Sequence, residues 1–530
     1  MENLETLALS RRVDRLLEPW RDRSGPGVTV GVARDGAMLL HRSAGLASIE
    51  LGVPITEATT FRIASVSKQF TCAAILMLAA EGRLDVEDEV REHLPELPDI
   101  GHHITVAHLM HNSAGIRDMF EVLRLGGADL GQPVTPAQMT AGIHRQRALN
   151  FAPGSRYLYS NSNFWLLGLI VERLGGMPLP VFLETRIFAP LGMAMTRMTP
   201  STLETVPGLA TGYFPAGAGW QRAAHAYPLG GEGGLVSSVI DLAIWDRALA
   251  TDDALPHAEL VRRHSFPNGE ANGYARGLQV GTHRGTRTES HGGLWPGFKT
   301  QFLRAPEHNL VVIAISNDAT ADPYHLGFDV LDMLLDGKPG VTATPPMPTR
   351  TELERWPGRY LDRASGATVD VELTPEGRLV ARTHGVPFRL VARGDGWMRA
   401  SRAASDFAAR LVDDGMEVMA DAGHATTYAR LAPDAALPEG LDGTYANAEI
   451  AATWTVAGQS LTVAGPIVGC DDWTVAPVEG DCIRLCLPRG LFDSWLDTRV
   501  RRDAAGDVTG LLVEGGRVRG LLFAREGHAS

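Results

Sequence analysis

The chain has 530 residues, a formal net charge of −13 at pH 7, 44% hydrophobic residues and 21% charged residues. This apolar content excludes a disordered or collagen-like chain, and the length allows about three domains. The acidic balance disfavours nucleic acid and anionic membranes as main partners, because both require a basic face. Lysine is rare: of the 49 basic residues only Lys68, Lys299 and Lys338 are lysines, and the rest are arginines. Because most basic residues are arginines, a lysine beside a reactive group indicates a role that arginine does not fill.

The amino terminus and the cysteines bear on the compartment. The first residues are charged and lack an apolar signal core, and the apolar runs are far shorter than the ~18 residues of a membrane span. The four cysteines form no CxxC pair: Cys72, Cys470, Cys482 and Cys486. This spread indicates reduced thiols rather than a disulfide framework. We therefore expect a cytoplasmic protein without a membrane partner.

The first 335 residues mix helical and strand patterns. Periodicity predicts helices over residues 4–21, 69–80 and 163–174, and strands over residues 27–33, 37–42, 300–304 and 310–316. Asp35 and Gly36 form the turn signal of a hairpin between the first two strands. Strands at both ends with helices between them predict an α+β domain built on an antiparallel sheet.

A linker rich in proline and glycine occupies residues 336–350 and separates this part from a tail of short alternating segments. The tail repeats itself. Tyr360 closes the sequence WPGRY and Tyr445 closes LDGTY about 85 residues later, and each is followed by a strand, a turn and a strand. We expect two small antiparallel β-barrel domains at residues 351–435 and 436–530. A single large sandwich is the alternative.

Ser65 and Lys68 form an SxxK motif just before the apolar run of residues 70–80. If the helix begins near Ser65, positions i and i+3 share one face, and the hydroxyl neighbours the amine. Serine needs a base to become a nucleophile, and burial lowers the pKa of a lysine so that it can accept the proton. A helix cap with a surface lysine is the alternative. The scarcity of lysine weighs against it, because an arginine serves equally well on a surface but cannot act as a base.

Two further motifs carry groups suited to the same chemistry. Tyr159 and Asn161 stand before a predicted helix, where a phenol could relay a proton and an amide could hold a substrate carbonyl. His291 is followed by two glycines, which let a ligand backbone lie against a strand. A helix cap and a packed histidine are the respective alternatives. The four histidines between residues 102 and 111 lack the spacing of a metal site, so we expect neither a metal nor another cofactor.

The order SxxK, YxN and HxG resembles the penicillin-recognising serine hydrolases, the family of β-lactamases, penicillin-binding proteins and related esterases and peptidases. The third motif is usually KTG in that family, and a histidine replaces its lysine in some branches, as at His291. Within the family the chain is most similar to the D-stereospecific aminopeptidases. The resemblance implies a β-lactamase/transpeptidase-like catalytic domain at residues 1–335, followed by two eight-stranded barrels.

The resemblance also implies roles for the motif residues. Ser65 would be the nucleophile and Lys68 its proton acceptor and donor. Tyr159 would pass the proton to the leaving amine, Asn161 would hold the substrate, and His291 would lie on the opposite wall.

The backbone N–H groups of Ser65 and Leu294, the latter beside Gly293, would form the oxyanion hole. In such enzymes a loop of the last barrel enters the active site, and an aspartate binds the free amino group of the substrate. Asp493 is the nearest candidate, although its surroundings depart from the family pattern. An ordinary hairpin aspartate is the alternative at this position.

The function that follows is a serine aminopeptidase that releases amino-terminal D-residues from short peptides, amides and esters through an acyl-enzyme. The resemblance implies a homodimer and inhibition by β-lactams. The alternatives are an esterase or D,D-peptidase of the same family, or a sensor of β-lactams or peptides that is acylated but does not turn over.

Overall fold

The computed structural model describes residues 4–21, 24–129, 131–251, 255–343, 345–392, 395–400, 407–420, 425–432, 435–487 and 494–527. Up to residue 335 the chain is built on one six-stranded antiparallel sheet. Its strands follow in the order Gln279–His283, Thr286–Trp295, Phe298–Ala305, Leu310–Ser316, Val28–Arg34 and Ala37–Ala44. The predicted antiparallel sheet is confirmed, and it joins the first strands of this part to its last.

The sheet is covered on both faces. The strand Leu310–Ser316 is fully buried, with Ile313 in the core on one face and Val312 in the core on the other. An uninterrupted apolar strand of this kind is the pattern expected between two layers of helices. The α-helices of this part are Leu4–Leu16, Glu18–Arg21, Lys68–Ala80, Val90–His93, Val106–Met110, Met119–Leu125, Pro136–His144, Asn161–Gly175, Leu179–Leu183, Ala189–Leu191, Val239–Thr251, His257–Leu260 and Pro323–Leu335.

Short elements complete this part. Helical turns of other types are Ala64–Ser67, Glu184–Phe188 and Pro306–His308. Two two-stranded sheets are formed by Leu46–Ser48 with Val53–Pro54 and by Tyr213–Ala216 with Gly219–Arg222. One three-stranded sheet has the order Phe61–Arg62, Leu235–Ser237 and Arg197–Met198. The predicted helices at 69–80 and 163–174 are confirmed with slightly earlier starts. The helix predicted over residues 4–21 is instead interrupted after Leu16. Pro19 explains the break, because it cannot donate a helical hydrogen bond and its ring clashes with the preceding turn.

Two closed eight-stranded barrels follow the short helix Arg350–Leu353, as predicted. The first barrel has the strands Gly358–Leu361, Thr368–Leu373, Leu379–Thr383, Val386–Ala392, Met398–Ala400, Phe407–Val412, Gly415–Ala420 and Thr426–Arg430. The second has the strands Gly443–Asn447, Ala452–Ala457, Ser460–Ala464, Gly469–Glu479, Cys482–Leu487, Ser494–Arg502, Val508–Val513 and Leu521–Arg525. The single-sandwich alternative is wrong.

The sequence repeat marks equivalent positions in the two barrels. The Tyr360 hydroxyl donates to the Trp356 carbonyl at 2.8 Å, and the Tyr445 hydroxyl donates to the Leu441 carbonyl at 2.6 Å. In each barrel this tyrosine pairs with an arginine of the closing strand, Tyr360 with Arg430 and Tyr445 with Arg525. The repeat therefore encodes the closure of each barrel.

Candidate active site

Ser65 lies in the turn Ala64–Ser67, directly before the helix Lys68–Ala80. Ala64 has a φ of +48°, a left-handed conformation that is rare for a residue with a side chain and is found at functional sites. The Lys68 side chain is fully buried, and its Nζ lies 3.1 Å from Ser65 Oγ. The structure thus brings the predicted serine hydroxyl and lysine amine into hydrogen-bond contact.

The Lys68 amine is held from two further sides. Nζ donates to Asn161 Oδ1 at 3.0 Å and to the backbone carbonyl of Glu232. Burial lowers the pKa of Lys68 well below its ordinary value, against the opposing effect of the Glu232 carboxyl. Burial also raises the pKa of Glu232, which weakens the negative charge beside the lysine. A neutral amine can donate to the two fixed acceptors while its lone pair accepts from the Ser65 hydroxyl.

Tyr159 lies beside this pair, with the centre of its ring 4.8 Å from Lys68 Nζ. Its hydroxyl is buried and has no hydrogen-bond partner among the described residues. Burial raises the pKa of Tyr159 above its ordinary value, although Ser65 lies close enough to lower it in part. The phenol therefore keeps its proton at neutral pH and has hydrogen-bonding capacity left for a ligand.

Asn161 is fixed by a residue that the sequence analysis did not single out. Asp118 Oδ2 accepts hydrogen bonds from the backbone N–H of Asn161 at 2.7 Å and from its Nδ2 at 2.9 Å. The other carboxylate oxygen, Oδ1, caps the helix Met119–Leu125. With its amide nitrogen held by Asp118, Asn161 directs its Oδ1 at Lys68. Asp118 thereby positions the lysine through Asn161.

His291 lies in the strand Thr286–Trp295 and is fully buried. Its Nε2 is 2.9 Å from the Tyr274 hydroxyl and its Nδ1 is 2.6 Å from the Gly292 carbonyl. Burial, assisted by Lys68, lowers the pKa of His291 to about 3, so the ring is neutral at physiological pH. The residues of this strand that line the cavity at Ser65 include Gly292 and Leu294. The imidazole is thus placed behind the wall, supporting it.

Gly293 lets this strand approach the serine turn closely. A Cβ atom at Gly293 would lie 2.2 Å from the carbonyl oxygen of Ile63 and 3.2 Å from the Cβ of Ala64. Only glycine fits such an approach without displacement of a backbone. The Tyr324 hydroxyl, which donates to the Gly293 carbonyl at 2.8 Å, holds the strand from the other side. The backbone around Leu294 is therefore placed next to the turn that carries Ser65.

A loop of the second barrel reaches the same place. It joins the strands Val508–Val513 and Leu521–Arg525, and it carries Arg517, whose guanidinium carbon lies 4.7 Å from the centre of the Tyr159 ring. Arg517 Nη1 is 3.6 Å from Asp118 Oδ2. Although burial opposes it, the carboxylates of Asp118 and Glu121 raise the pKa of Arg517.

This loop is anchored through its backbone. The Arg517 carbonyl accepts from Asn150 Nδ2 at 3.0 Å, and the Arg517 N–H donates to the Glu121 carboxylate. The buried Arg117 guanidinium donates to the carbonyl of Arg519. Asp493, the sequence candidate for binding a substrate amine, lies outside the described residues.

The cavity above Ser65 has a volume of about 370 Å³. The part of the chain up to residue 335, which we call the catalytic part, contributes Ser65, Asp118, Glu121, Tyr159, Asn161 and Glu232, among others. Residues of both barrels complete the wall, including Thr368 and Phe388 of the first and Trp495 and Arg517 of the second. The site is therefore a joint product of all three folding units.

The chain is similar in sequence to a known family of proteins over more than half of its length. The model of the Beta-lactamase family matches residues 9–331. The chain belongs to the β-lactamase family. A D-aminopeptidase of Brucella anthropi is 30% identical over 387 residues, which is 72% of each chain. A D-aminopeptidase of Cereibacter sphaeroides is 29% identical over 562 residues, covering 98% of this chain and 99% of that protein.

Solved structures agree with this membership of the β-lactamase family. The octameric penicillin-binding protein homologue from Pyrococcus abyssi has a TM-score of 0.59 and 20% identity, covering 88% of this chain and 100% of that one. The D-amino acid amidase from Ochrobactrum anthropi has a TM-score of 0.53 and 22% identity, covering 62% and 100%. Likeness at this identity establishes the fold. The predicted membership of the penicillin-recognising serine hydrolases, and with it an enzyme, is confirmed.

Three residues of this β-lactamase-family site were not predicted from the sequence: Asp118, Glu232 and Arg517. Asp118 stands directly before the apolar helix Met119–Leu125, which is the position of a helix cap and was a detectable signal. Glu232 stands between two pairs of glycines, a pattern that indicates a constrained backbone. Arg517 carried no signal, because its neighbourhood exists only once the second barrel has docked.

Among the described residues, no single helix is both long and apolar enough to cross a bilayer. The bent pair Asn161–Gly175 and Leu179–Leu191 meets the criterion by length and composition only. Residues of both helices belong to the core of the catalytic part.

Proposed function

We propose that the protein is a serine aminopeptidase that releases amino-terminal D-residues from short peptides, amides and esters. The observation that carries the proposal is the contact between Ser65 Oγ and the buried Lys68 Nζ at 3.1 Å. A serine alone is a weak nucleophile, whereas a serine beside a desolvated amine has a base at hand. The named D-aminopeptidases among its relatives, at about 30% identity, support the choice of D-substrates.

The proton path follows from the electrostatics of the site. Neutral Lys68 takes the proton of Ser65 as Oγ attacks the substrate carbonyl, which gives a tetrahedral oxyanion and an ammonium. The Tyr159 phenol is protonated and close to both groups, so it hands a proton to the leaving amine and is reprotonated from Lys68. The bond to the amine breaks and leaves an ester on Ser65. Water then attacks the ester with Lys68 again as the base, the bond to Ser65 Oγ breaks, and Lys68 returns the proton to Oγ.

The oxyanion requires donors that are already in place. The backbone N–H groups of Ser65 and Leu294 are the proposed pair, and the contact of Gly293 with Ile63 fixes their separation. We assign His291 a positioning role, since its neutral ring holds Tyr274 and the Gly292 carbonyl. Asn161 orients Lys68 through its Oδ1 and lies in the cavity wall, and the Nδ2 hydrogen that Asp118 does not accept is the proposed donor to a substrate.

The experiment that tests the function compares three anilides: D-alanine anilide with a free amine, its N-acetylated form, and L-alanine anilide. An aminopeptidase for D-residues turns over the first and discriminates against the other two by at least ten-fold in kcat/KM. Equal rates on the free and acetylated amines contradict an aminopeptidase and favour an esterase or D,D-peptidase. A stoichiometric burst without turnover identifies a sensor.

Asp493 remains the proposed ligand of the substrate amino group. We expect Asp493→Asn to raise KM for the free-amine anilide by roughly ten-fold or more, because an ion pair that excludes water is lost. An unchanged KM would transfer the role to another carboxylate, and Glu121 in the cavity wall is then the next to substitute.

Three further expectations stay predictions. Inhibition by β-lactams is checked by a mass increase of the protein after incubation with benzylpenicillin, which must disappear in Ser65→Ala. A homodimer is checked by light scattering of the purified chain. The cytoplasmic location is checked by fractionation of cells that express the protein.

A further inference from the structure

The cavity above Ser65 continues into one end of the first barrel. Its far wall is formed by six side chains of that barrel: Val369, Val386, Phe388, Phe407, Val418 and Tyr428. At the near end stand the polar groups of Ser65, Tyr159 and Glu232. One continuous space therefore has a reactive polar end and an apolar end contributed by a different folding unit.

The apolar end lies against the core of the first barrel: Val386 and Tyr428 are half-buried, whereas the other four side chains are between 1% and 5% exposed. Val369, Phe388, Phe407 and Val418 belong to the cluster of buried side chains that holds the first barrel together, and the rings of Phe388 and Phe407 stack with centres 5.2 Å apart. An eight-stranded barrel has an interior that side chains just fill, or that holds one small ligand. Here side chains fill the barrel, so the apolar part of the cavity lies at the end of the barrel, beside Val386 and Tyr428. An apolar surface in the same cavity as a reactive serine is suited to contact with an apolar group of a ligand.

Polar groups of both barrels also line the cavity. Arg517 lines the cavity with 36% of its side chain exposed, and Arg519 and His384 line it nearby. The indole of Trp495 also lines this stretch. Guanidinium and imidazole N–H groups are donors for the carbonyl oxygens of an extended peptide. A cavity with these donors is suited to a peptide backbone rather than to a continuous hydrocarbon.

We propose that the first barrel forms a distal subsite that binds a large apolar side chain in the leaving-group portion of a peptide substrate. The inference rests on the proposed function, because an aminopeptidase has a single residue on the acyl side of the scissile bond. A cavity of about 370 Å³ falls in the range that holds ligands much larger than one small residue. The additional space therefore accommodates the chain that leaves.

The test is a set of peptide amides that begin with D-alanine and continue with glycines. A single phenylalanine replaces the first, second or third residue after the scissile bond. We expect one position to raise kcat/KM by about 10- to 100-fold over the all-glycine peptide, the range for burying a large apolar side chain. Equal kcat/KM at every position overturns the subsite.

A pair of matched variants locates the effect. Val386→Asp places a carboxylate in the cavity wall at a half-buried position, and Val412→Asp makes the same change at an exposed position of the same barrel. The preference for phenylalanine over glycine should fall to about one in Val386→Asp and remain in Val412→Asp. A preference that survives in Val386→Asp, with thermal unfolding showing both variants folded, places the side chain elsewhere and refutes the proposal.

Failure of the subsite and failure of the proposed function give different results. If the D-alanine peptides are hydrolysed without a preference, the function stands and the subsite falls. If none is hydrolysed, calorimetry with Ser65→Ala decides, since binding needs no turnover. The phenylalanine peptide should then bind at least ten-fold more tightly than the glycine peptide, and equal affinity overturns the subsite.

Discussion

The close approach of the strand at Gly293 to the serine turn can be tested with a single methyl group. In Gly293→Ala the new Cβ would lie 2.2 Å from the Ile63 carbonyl oxygen, whereas real Cβ contacts stay above 3.0 Å. Strand and turn must therefore separate by at least about 0.8 Å. The proposed oxyanion donors sit on these two segments, one at Leu294 and one at Ser65.

A displacement near 1 Å in a reacting geometry reduces rates by about 100-fold, or about 2.7 kcal/mol of transition-state stabilisation. We expect this loss in kcat for D-alanine anilide, with overpacking lowering the free energy of unfolding by about 1–3 kcal/mol. Gly281→Ala is the matched control, because its Cβ meets only Thr288 Oγ1, at 3.6 Å. The control should retain activity within about two-fold. A Gly293→Ala enzyme that is folded and equally active would refute the placement of the oxyanion donors.

Three further outcomes follow from the buried charges. Lys68→Arg should reduce the acylation burst by at least about 100-fold, because arginine cannot accept a proton, and a normal burst measured by stopped flow would remove the base assignment. Asp118→Asn should keep the helix cap but leave the backbone N–H and Nδ2 of Asn161 without their acceptor, so kcat should fall about ten-fold and the free energy of unfolding by about 1–3 kcal/mol; an unchanged kcat beside lowered stability would make the role purely structural. Burial raises the pKa of Glu121 from 4.5 to about 7, so the folded state binds an extra proton between these values and stability falls as pH rises through them. At pH 8 this ionisation lowers the free energy of unfolding by up to about 3 kcal/mol, and the loss should be absent in Glu121→Gln. Urea unfolding of both proteins at pH 5 and pH 8 measures it; the same pH dependence in both would contradict the burial of this carboxyl.

Local patterns were enough to find the motifs and the architecture. Ser65 and Lys68 are three residues apart, and the scarcity of lysine separated a base from a surface charge. The two barrels were visible because Tyr360 and Tyr445 repeat the same closure.

The remaining parts depend on contacts between distant segments. Arg517 meets Tyr159 only after a barrel closes and docks, and no local pattern encodes that meeting. The HxG motif identified His291 but does not determine which way its ring points. In the structure the ring contacts Tyr274 behind the cavity wall. The sequence predicted that a loop of the second barrel near Asp493 lines the cavity. In the structure, a different loop of the same barrel, the one that carries Arg517, lines it.

The separation in sequence between Arg517 and the residues of the first 335 positions has a consequence for synthesis. The helix Pro323–Leu335 completes the catalytic part, and the loop between Val513 and Leu521 follows about 180 residues later. At about 5–20 residues per second the ribosome needs roughly 10–40 s to cover that interval. Throughout it the nascent chain carries Ser65 and Lys68 beside a Tyr159 that has no guanidinium against its ring. The contact between Arg517 and Tyr159 therefore forms roughly 10–40 s after the residues of the SxxK motif are in place.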